Sequence, residues 1–199
     1  MTDNTENQLN SFSYWVKRGA LAAGEYPGNQ FALRPSTTIA TVINSISGIV
    51  KTRFGDLNTP SRKIGNLMDC GITSFIDLTE LGERPDYQKY LHKERRRRSV
   101  RSEYYRFPIR DREVPGIKEM KEILDLIDLQ IEASRSVYVH CFRGLGRTGT
   151  VVGCYLVRHG LGGQQALSEI NNLRADVAGS FRKSPETQIQ RDFILDWSG

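Results

Sequence analysis

Nine consecutive residues, His140-Cys141-Phe142-Arg143-Gly144-Leu145-Gly146-Arg147-Thr148, place a thiol and a guanidinium six positions apart across a stretch with two glycines. The β-prone run Val137 to Val139 enters this stretch, and a helical pattern from Thr148 to His159, stopped by Gly160, leaves it, so the chemistry-bearing residues sit on a loop between a strand and a helix. Such a loop can turn its backbone N–H groups inward as an anion nest, backed by the positive end of the helix dipole. Gly144 and Gly146 supply the permissive backbone angles. In that field the Cys141 thiol is expected to ionise below the roughly 8.5 of a free cysteine. Arg147 can hold two oxygens of a tetrahedral anion at once through its planar fork, and Thr148 can offer its hydroxyl to the sulfur, helping the thiolate to leave. The chemistry that suits this set is transfer of a phosphoryl group from a phosphomonoester to sulfur. The backbone of Phe142, Arg143, Gly144, Leu145 and Gly146 would bind the phosphate. A plain glycine-rich turn around a buried cysteine would leave Arg147 unexplained.

The stretch resembles the dual-specificity branch of the protein tyrosine phosphatase superfamily, whose signature is H-C-x5-R-T or H-C-x5-R-S. Ala23-Gly24-Glu25-Tyr26-Pro27-Gly28, Phe75-Ile76-Asp77-Leu78-Thr79 and Ser184-Pro185-Glu186-Thr187 with Gln190 are similar to its compact microbial members. The resemblance thus extends over most of Trp15 to Gly199. It implies phosphorylated proteins as partners and phosphotyrosine as the leading substrate, with phosphoserine and phosphothreonine as further ones. Arg143, a basic residue two positions after the nucleophile, also resembles phosphoinositide phosphatases. Phosphoinositides and RNA 5′-phosphates are therefore the alternative substrates. A non-enzymatic phosphate-reading module is the alternative from another class, and a missing nucleophile or acid would mark it.

Cleaving the ester of an alcohol needs a proton for the leaving oxygen, so a carboxylic acid should face the thiolate from a separate loop. Asp111, in Phe107-Pro108-Ile109-Arg110-Asp111-Arg112-Glu113-Val114-Pro115, follows a strand-like run and precedes a long helix, thirty residues before Cys141. The resemblance puts the general acid in a similar loop at similar separation. Arg110 stands where many relatives have proline, which bears on the rigidity of that loop. The competing role for Asp111 is to cap the next helix or to pair with Arg110 or Arg112. Glu113 is the reserve acid, and Asp77 and Glu80 are weaker because a strand-end carboxylate is more often structural. His140 is expected to support loop geometry, Gln190 to match a glutamine of the microbial pattern or simply to face a helix, and Cys70 and Cys154 to be buried filler rather than redox partners of Cys141. In the two-step reaction Cys141 attacks phosphorus while Asp111 protonates the leaving oxygen, and water activated by the aspartate then hydrolyses the phosphocysteine. Backbone N–H groups and Arg147 supply the positive field, so no metal or other cofactor is called for.

These residues need a scaffold. The sequence has 199 residues and 38% hydrophobic content, enough for one core without staples. Met1 to Ser13 is polar, with no leader-like apolar run, and reads as a flexible tail (1–13) before a single catalytic domain (14–199). No segment approaches the roughly 20 apolar residues of a membrane span. Three cysteines are too few and too scattered for a disulfide framework, which points to a reducing cytoplasm. The formal charge of +5 favours anionic partners, lipid headgroups included, while no stable nucleic-acid or membrane partner is expected. Nine basic residues lie between Lys93 and Arg112; the run Arg95 to Arg98 is expected to be solvated surface.

Patterning places a short strand at Ala20 to Ala23 with a turn through Gly28, and a helix carrying Ile39, Val42, Ile43, Ile46, Ile49 and Val50. A helix capped by Thr59 and Pro60 and stopped at Gly71 comes next, followed by a buried strand, Ile72 to Leu78. Then follow a strand-like segment from Tyr104 to Ile109, a long amphipathic helix from Ile117 to Ile131, and the strand, loop and helix around Cys141. A helix through Ala166, Leu167, Ile170 and Leu173 precedes a last one, capped by Ser184 and Pro185 and carrying Ile189, Phe193, Ile194 and Trp197. Strands alternating with helices predict an α/β fold with a mostly parallel central sheet flanked by helices, like that of a protein tyrosine phosphatase.

Overall fold

The structure, a computed structural model, describes residues 9–28 and 59–199. The helix expected over Ile39 to Val50 and most of the tail lie outside the described residues. Five strands form one sheet: β1 (Ser13–Lys17), β2 (Leu21–Gly24), β3 (Ile72–Asp77), β4 (Glu103–Arg106) and β5 (Ser136–His140), in the order β1-β2-β5-β3-β4. β5 runs parallel to β2 and β3, and β3 parallel to β4. Only β1 is antiparallel, to β2, so the expected mostly parallel sheet is found. Six helices follow in the described chain: α1 (Pro60–Asp69), α2 (Gln88–Arg98), α3 (Ile117–Glu132), α4 (Gly146–Arg158), α5 (Gly163–Leu173) and α6 (Gln188–Leu195). Among the described residues, no helix is long and apolar enough to cross a membrane.

The central strands β2, β3 and β5 are buried almost throughout because both faces of the sheet are covered there. Leu21, Ala23, Ile76, Val137 and Val139 point into one core with Met120, Ile123, Leu124 and Ile127 of α3, Val151 and Val152 of α4, Ile170 of α5 and Ile194 of α6. The alternate residues Ala22, Phe75 and Tyr138 point into the other core, with Ile64, Leu67 and Met68 of α1 and Leu91 of α2. This is the period of two expected of a strand. α4 and α6 pack closely because Gly153 has no side chain: a Cβ there would collide with Ile194.

Several boundaries differ from the sequence reading for physical reasons. β1 begins at Ser13, inside the stretch read as tail, because the Ser13 hydroxyl bonds Tyr138 Oη at 3.0 Å and anchors the strand. α2 was not expected. Its apolar face is narrow, with Leu91 and Glu94 its buried residues, and it holds by charge: Arg98 binds Asp69 of α1 at 2.7 Å and also Glu94, while Arg97 binds Glu94 at 3.0 Å. The run Arg95 to Arg98 is thus partly engaged in ion pairs rather than wholly solvated. α1 is capped as expected, by Thr59 with Pro60 at its start. α6 is capped by Thr187 in a box with Gln190, not by Ser184 and Pro185; the Ser184 hydroxyl instead donates to Leu145 O at 2.9 Å.

Candidate active site

β5 is the middle strand, and its carboxyl end delivers Cys141 to the edge of the sheet between the ends of β2 and β3, the usual crevice of open parallel sheets. The loop turns at Gly144, whose φ of +67° lies in the left-handed region, and passes so close to β2 that a Cβ would fall 2.5 Å from Gly24 O and 2.8 Å from Glu25 N. Glycine is required here on both counts. α4 starts at Gly146 with no side-chain cap and no acidic residue in its first turn. Its first-turn N–H groups therefore point towards the loop unmasked, as an anion seat requires.

Cys141, Phe142, Arg143, Arg147, Asp111, Glu80, Glu83, Arg84, Arg112 and Glu186 line one cavity of about 410 Å³. The nucleophile, arginine and acid read from the sequence are therefore brought together, although Asp111 arrives from the loop after β4. Asp111 Oδ1 lies 3.0 Å from Arg147 Nη2, with its own side chain 64% exposed, so it is neither a helix cap nor the partner of Arg110 or Arg112. Glu113 contributes its carbonyl, which accepts from Gln190 Nε2 at 3.1 Å, and its side chain is not among those lining the cavity.

Arg147 is 1% exposed. Glu83 grips it with both oxygens, at 2.7 Å to Nη1 and 2.8 Å to Nη2, and Nη1 also donates to Ile109 O at 3.0 Å. Burial pushes the Glu83 carboxyl up, but its bonds and attraction to Arg147 outweigh this and hold it below the ordinary range. Glu83 was missed in the sequence. The available signal was an acidic residue shortly after the end of β3, on the same sheet edge as Cys141, but that location becomes meaningful only once the strand order is known.

His140 is fully buried, with Nε2 2.8 Å from Tyr87 Oη and its ring stacked on Tyr138. Burial pushes its pKa down against the pull of Asp77, which suits a neutral imidazole that fixes the end of β5. Asp77 is structural: it accepts from Thr79 N, Thr79 Oγ1, Tyr104 Oη and Arg106 Nη2. The Thr148 hydroxyl is buried and makes no hydrogen bond, to the thiol or to any other described group. Gln190 is buried against the loop, where its amide would lie 2.9 Å from a Cβ at Gly146. Arg143 is half exposed, 3.9 Å from Glu186, and the Arg84 guanidinium lies 3.3 Å from the Phe142 ring centre, a cation–π contact at the mouth of the cavity. Cys154 lies in the core, where burial pushes its thiol up, in keeping with inert filler. Cys70 is half-buried at the end of α1 and is pushed the same way by burial.

A family model described as "Polymorphic toxin system, DSP-PTPase phosphatase" matches residues 51–161. Over 95 residues the chain is 36% identical to the phosphatidylinositol 3,4,5-trisphosphate 3-phosphatase and protein-tyrosine-phosphatase PTEN1 of Arabidopsis thaliana, covering 47% of this chain and 22% of that one. It is 41% identical over 49 residues to the dual specificity protein phosphatase CDC14B of Mus musculus, covering 25% and 10%. The matched stretches are thus about a fifth and a tenth of those relatives' lengths. Among solved structures, Tk-PTP in its active form superposes with a TM-score of 0.63 at 20% identity, covering 96% of this chain and 97% of that one. Kinase associated phosphatase does so with 0.61 at 19%, covering 96% and 94%, and PTPMT1 in complex with PI(5)P with 0.52 at 13%, covering 92% and 94%.

Proposed function

Because this chain belongs to the polymorphic toxin system DSP-PTPase phosphatase family, and is a cysteine-dependent phosphatase, we propose that it hydrolyses phosphotyrosine in proteins through a phosphocysteine at Cys141. In the first step the Cys141 thiolate attacks phosphorus in line, the bond from phosphorus to the ester oxygen breaks, and Asp111 gives its proton to the leaving oxygen. Arg147, whose Nη2 exchanges Asp111 for a phosphoryl oxygen as the acid turns to the leaving group, and the amides of the loop hold the equatorial oxygens, whose charge is largest in the transition state. Asp111, now ionised, then takes a proton from water as that water attacks phosphorus, and the thiolate leaves with inorganic phosphate as product. The observation that carries this reading is the convergence of Cys141, Arg147 and Asp111 on one cavity, with Asp111 3.0 Å from the guanidinium.

The test is Cys141→Ser on an aryl phosphate, with mass spectrometry of quenched wild-type enzyme. The variant should be inactive and the wild type should carry one labile phosphate on Cys141; turnover by the variant would end the covalent reading. Asp111→Asn should slow alkyl-like leaving groups far more than activated aryl ones, and equal slowing would remove Asp111 from the acid's role. A second reading, that the substrate is a phosphoinositide, is supported by Arg84, Arg112 and Arg143 around the cavity and by the naming of PTEN1 as a phosphoinositide phosphatase. A panel of phosphopeptides and soluble phosphoinositides separates the two by kcat/KM.

A further inference from the structure

On the other side of Arg143 from the catalytic cleft lies a second cavity of about 430 Å³, whose lining includes Phe12, Tyr14, Gly144, Leu145, Arg174 and Phe181. Arg143 lines both cavities. Arg174, which caps the end of α5, is 2% exposed. Its Nη1 donates to the Arg182 carbonyl at 3.0 Å, while its Nε is buried with no partner. Tyr14, 5% exposed, lines the same cavity, and its hydroxyl is also buried with no partner. The acid that attracts Arg174, Glu186, acts without a hydrogen bond to it and lies 3.9 Å from Arg143. Glu25 also borders the cavity, but its carboxylate is taken by Lys63.

A guanidinium keeps its charge when buried, and native interiors rarely leave such a cation, or a phenol hydroxyl beside it, without an acceptor. Two unsatisfied donors in a largely apolar hollow define complementary chemistry: oxygens of an anion at one end, a hydrophobic body at the rest. We propose that this cavity is a binding site for a small amphipathic anion, a carboxylate or phosphate whose oxygens accept from Arg174 Nε and Tyr14 Oη. Its apolar part, on the order of one phenyl ring or a short alkyl chain in pockets of this size, packs against Phe12 and Phe181. The anion is either a free metabolite or a second acidic group on the substrate, reaching the cavity over Arg143.

The probe is phenylacetate, titrated by calorimetry and amide chemical-shift mapping with vanadate saturating the catalytic loop. 2-Phenylethanol serves as the neutral counterpart. The expected result is saturable binding in the millimolar range or tighter, with shifts at Tyr14, Ala178 and Gly179, and at least tenfold weaker binding of the alcohol. Arg174→Met should abolish binding. Ala178→Trp, an exposed position lining the cavity, should block it without removing a buried group, which covers the case of a misfolded Arg174 variant. Equal binding of the alcohol, shifts that vanish with vanadate, or no saturation would overturn the site and leave its donors to ordered water. If the anion belongs to the substrate, Ala178→Trp raises KM at least fivefold for phosphopeptides with a neighbouring acidic residue and leaves KM for a bare aryl phosphate unchanged. If both KM values stay unchanged while phenylacetate binds, the ligand is a free acid. Binding is read without turnover, so the site fails or stands separately from the catalytic reading.

Discussion

Arg147 is held before any anion arrives: Glu83 occupies both of its terminal nitrogens and the Ile109 carbonyl fixes one of them. A phosphoryl group must therefore meet a guanidinium already in position, which lowers the entropy cost of gripping it. Glu83→Gln keeps the shape but leaves the buried cation with only the mostly exposed Asp111 as counter-charge. Stability should fall by about 1–3 kcal/mol, and kcat/KM by on the order of tenfold to hundredfold as the fork shifts. Because the folded Glu83 titrates below its ordinary 4.5, it contributes stability above that pH and loses it as pH falls through the lower folded value. Urea melts of the wild type should weaken across this acid window, and those of the variant should change less; identical slopes would mean that the pair contributes nothing. The residues legible in the sequence, Cys141 and Arg147, sit within one loop. Asp111 required chemistry to demand an acid, and Glu83 required the fold, since 64 residues separate it from Arg147.

The loop itself works only because β2 leaves room for it. Gly144→Ala would combine a left-handed φ of +67° with a Cβ driven into the Gly24 carbonyl, which is backbone and cannot swing aside. The expected loss is about 1–3 kcal/mol in stability and at least a hundredfold in kcat, because the amides that hold phosphate move with the turn. Gly160→Ala is the control. Its φ of +106° also lies where L side chains are rare, and further from the left-handed helical region, but nothing lies within 4 Å of the added Cβ, so it should cost about 1–3 kcal/mol with activity kept. Similar kcat losses for the two would show that general destabilisation, not the loop, is being read. At this scale the amphipathic patterns of α1, α3 and α5 were legible because each buries one apolar stripe, and α4, buried all round over Gly146 to Tyr155, was legible from the loop that precedes it and Gly160 that stops it. α2 was hidden because it is held mainly by Arg98, Glu94 and Asp69, and its helically spaced pairs of Glu94 with Arg97 and Arg98 sit in a charge run without an apolar stripe. The true cap of α6, Thr187 with Gln190, was obscured by the nearby Ser184-Pro185 pair, which looks like a cap but serves the catalytic loop.

Across the whole molecule, the helical layer of α1 and α2 reaches the catalytic loop through one buried ion pair. Lys63 of α1 binds Glu25 at the end of β2, and both side chains are 4% exposed. Glu25 is also the residue whose backbone N the loop approaches at Gly144, and its carbonyl accepts from Tyr138 Oη at 2.7 Å. The alternating strands made the two-faced sheet legible, but nothing in the spacing of Glu25 and Lys63 announced that they would meet; the pairing follows from α1 packing across the end of β2. Burial pushes the Glu25 carboxyl up in spite of Lys63, so the attraction does not fully offset the desolvation of the pair. Removing one partner should therefore be worse than removing both. Lys63→Met alone is expected to cost about 3–5 kcal/mol by stranding the Glu25 carboxylate, and Glu25→Leu less because Lys63 still lies over the Phe12 ring, while the double variant should come close to or exceed wild-type stability. The single variants should also lose phosphatase activity in proportion as the backbone at Glu25 shifts under Gly144, and the double variant should recover it. Denaturation and kcat measured on the four proteins of this cycle decide the matter: additive losses would mean that the ion pair is not the link between the α1 layer and the loop.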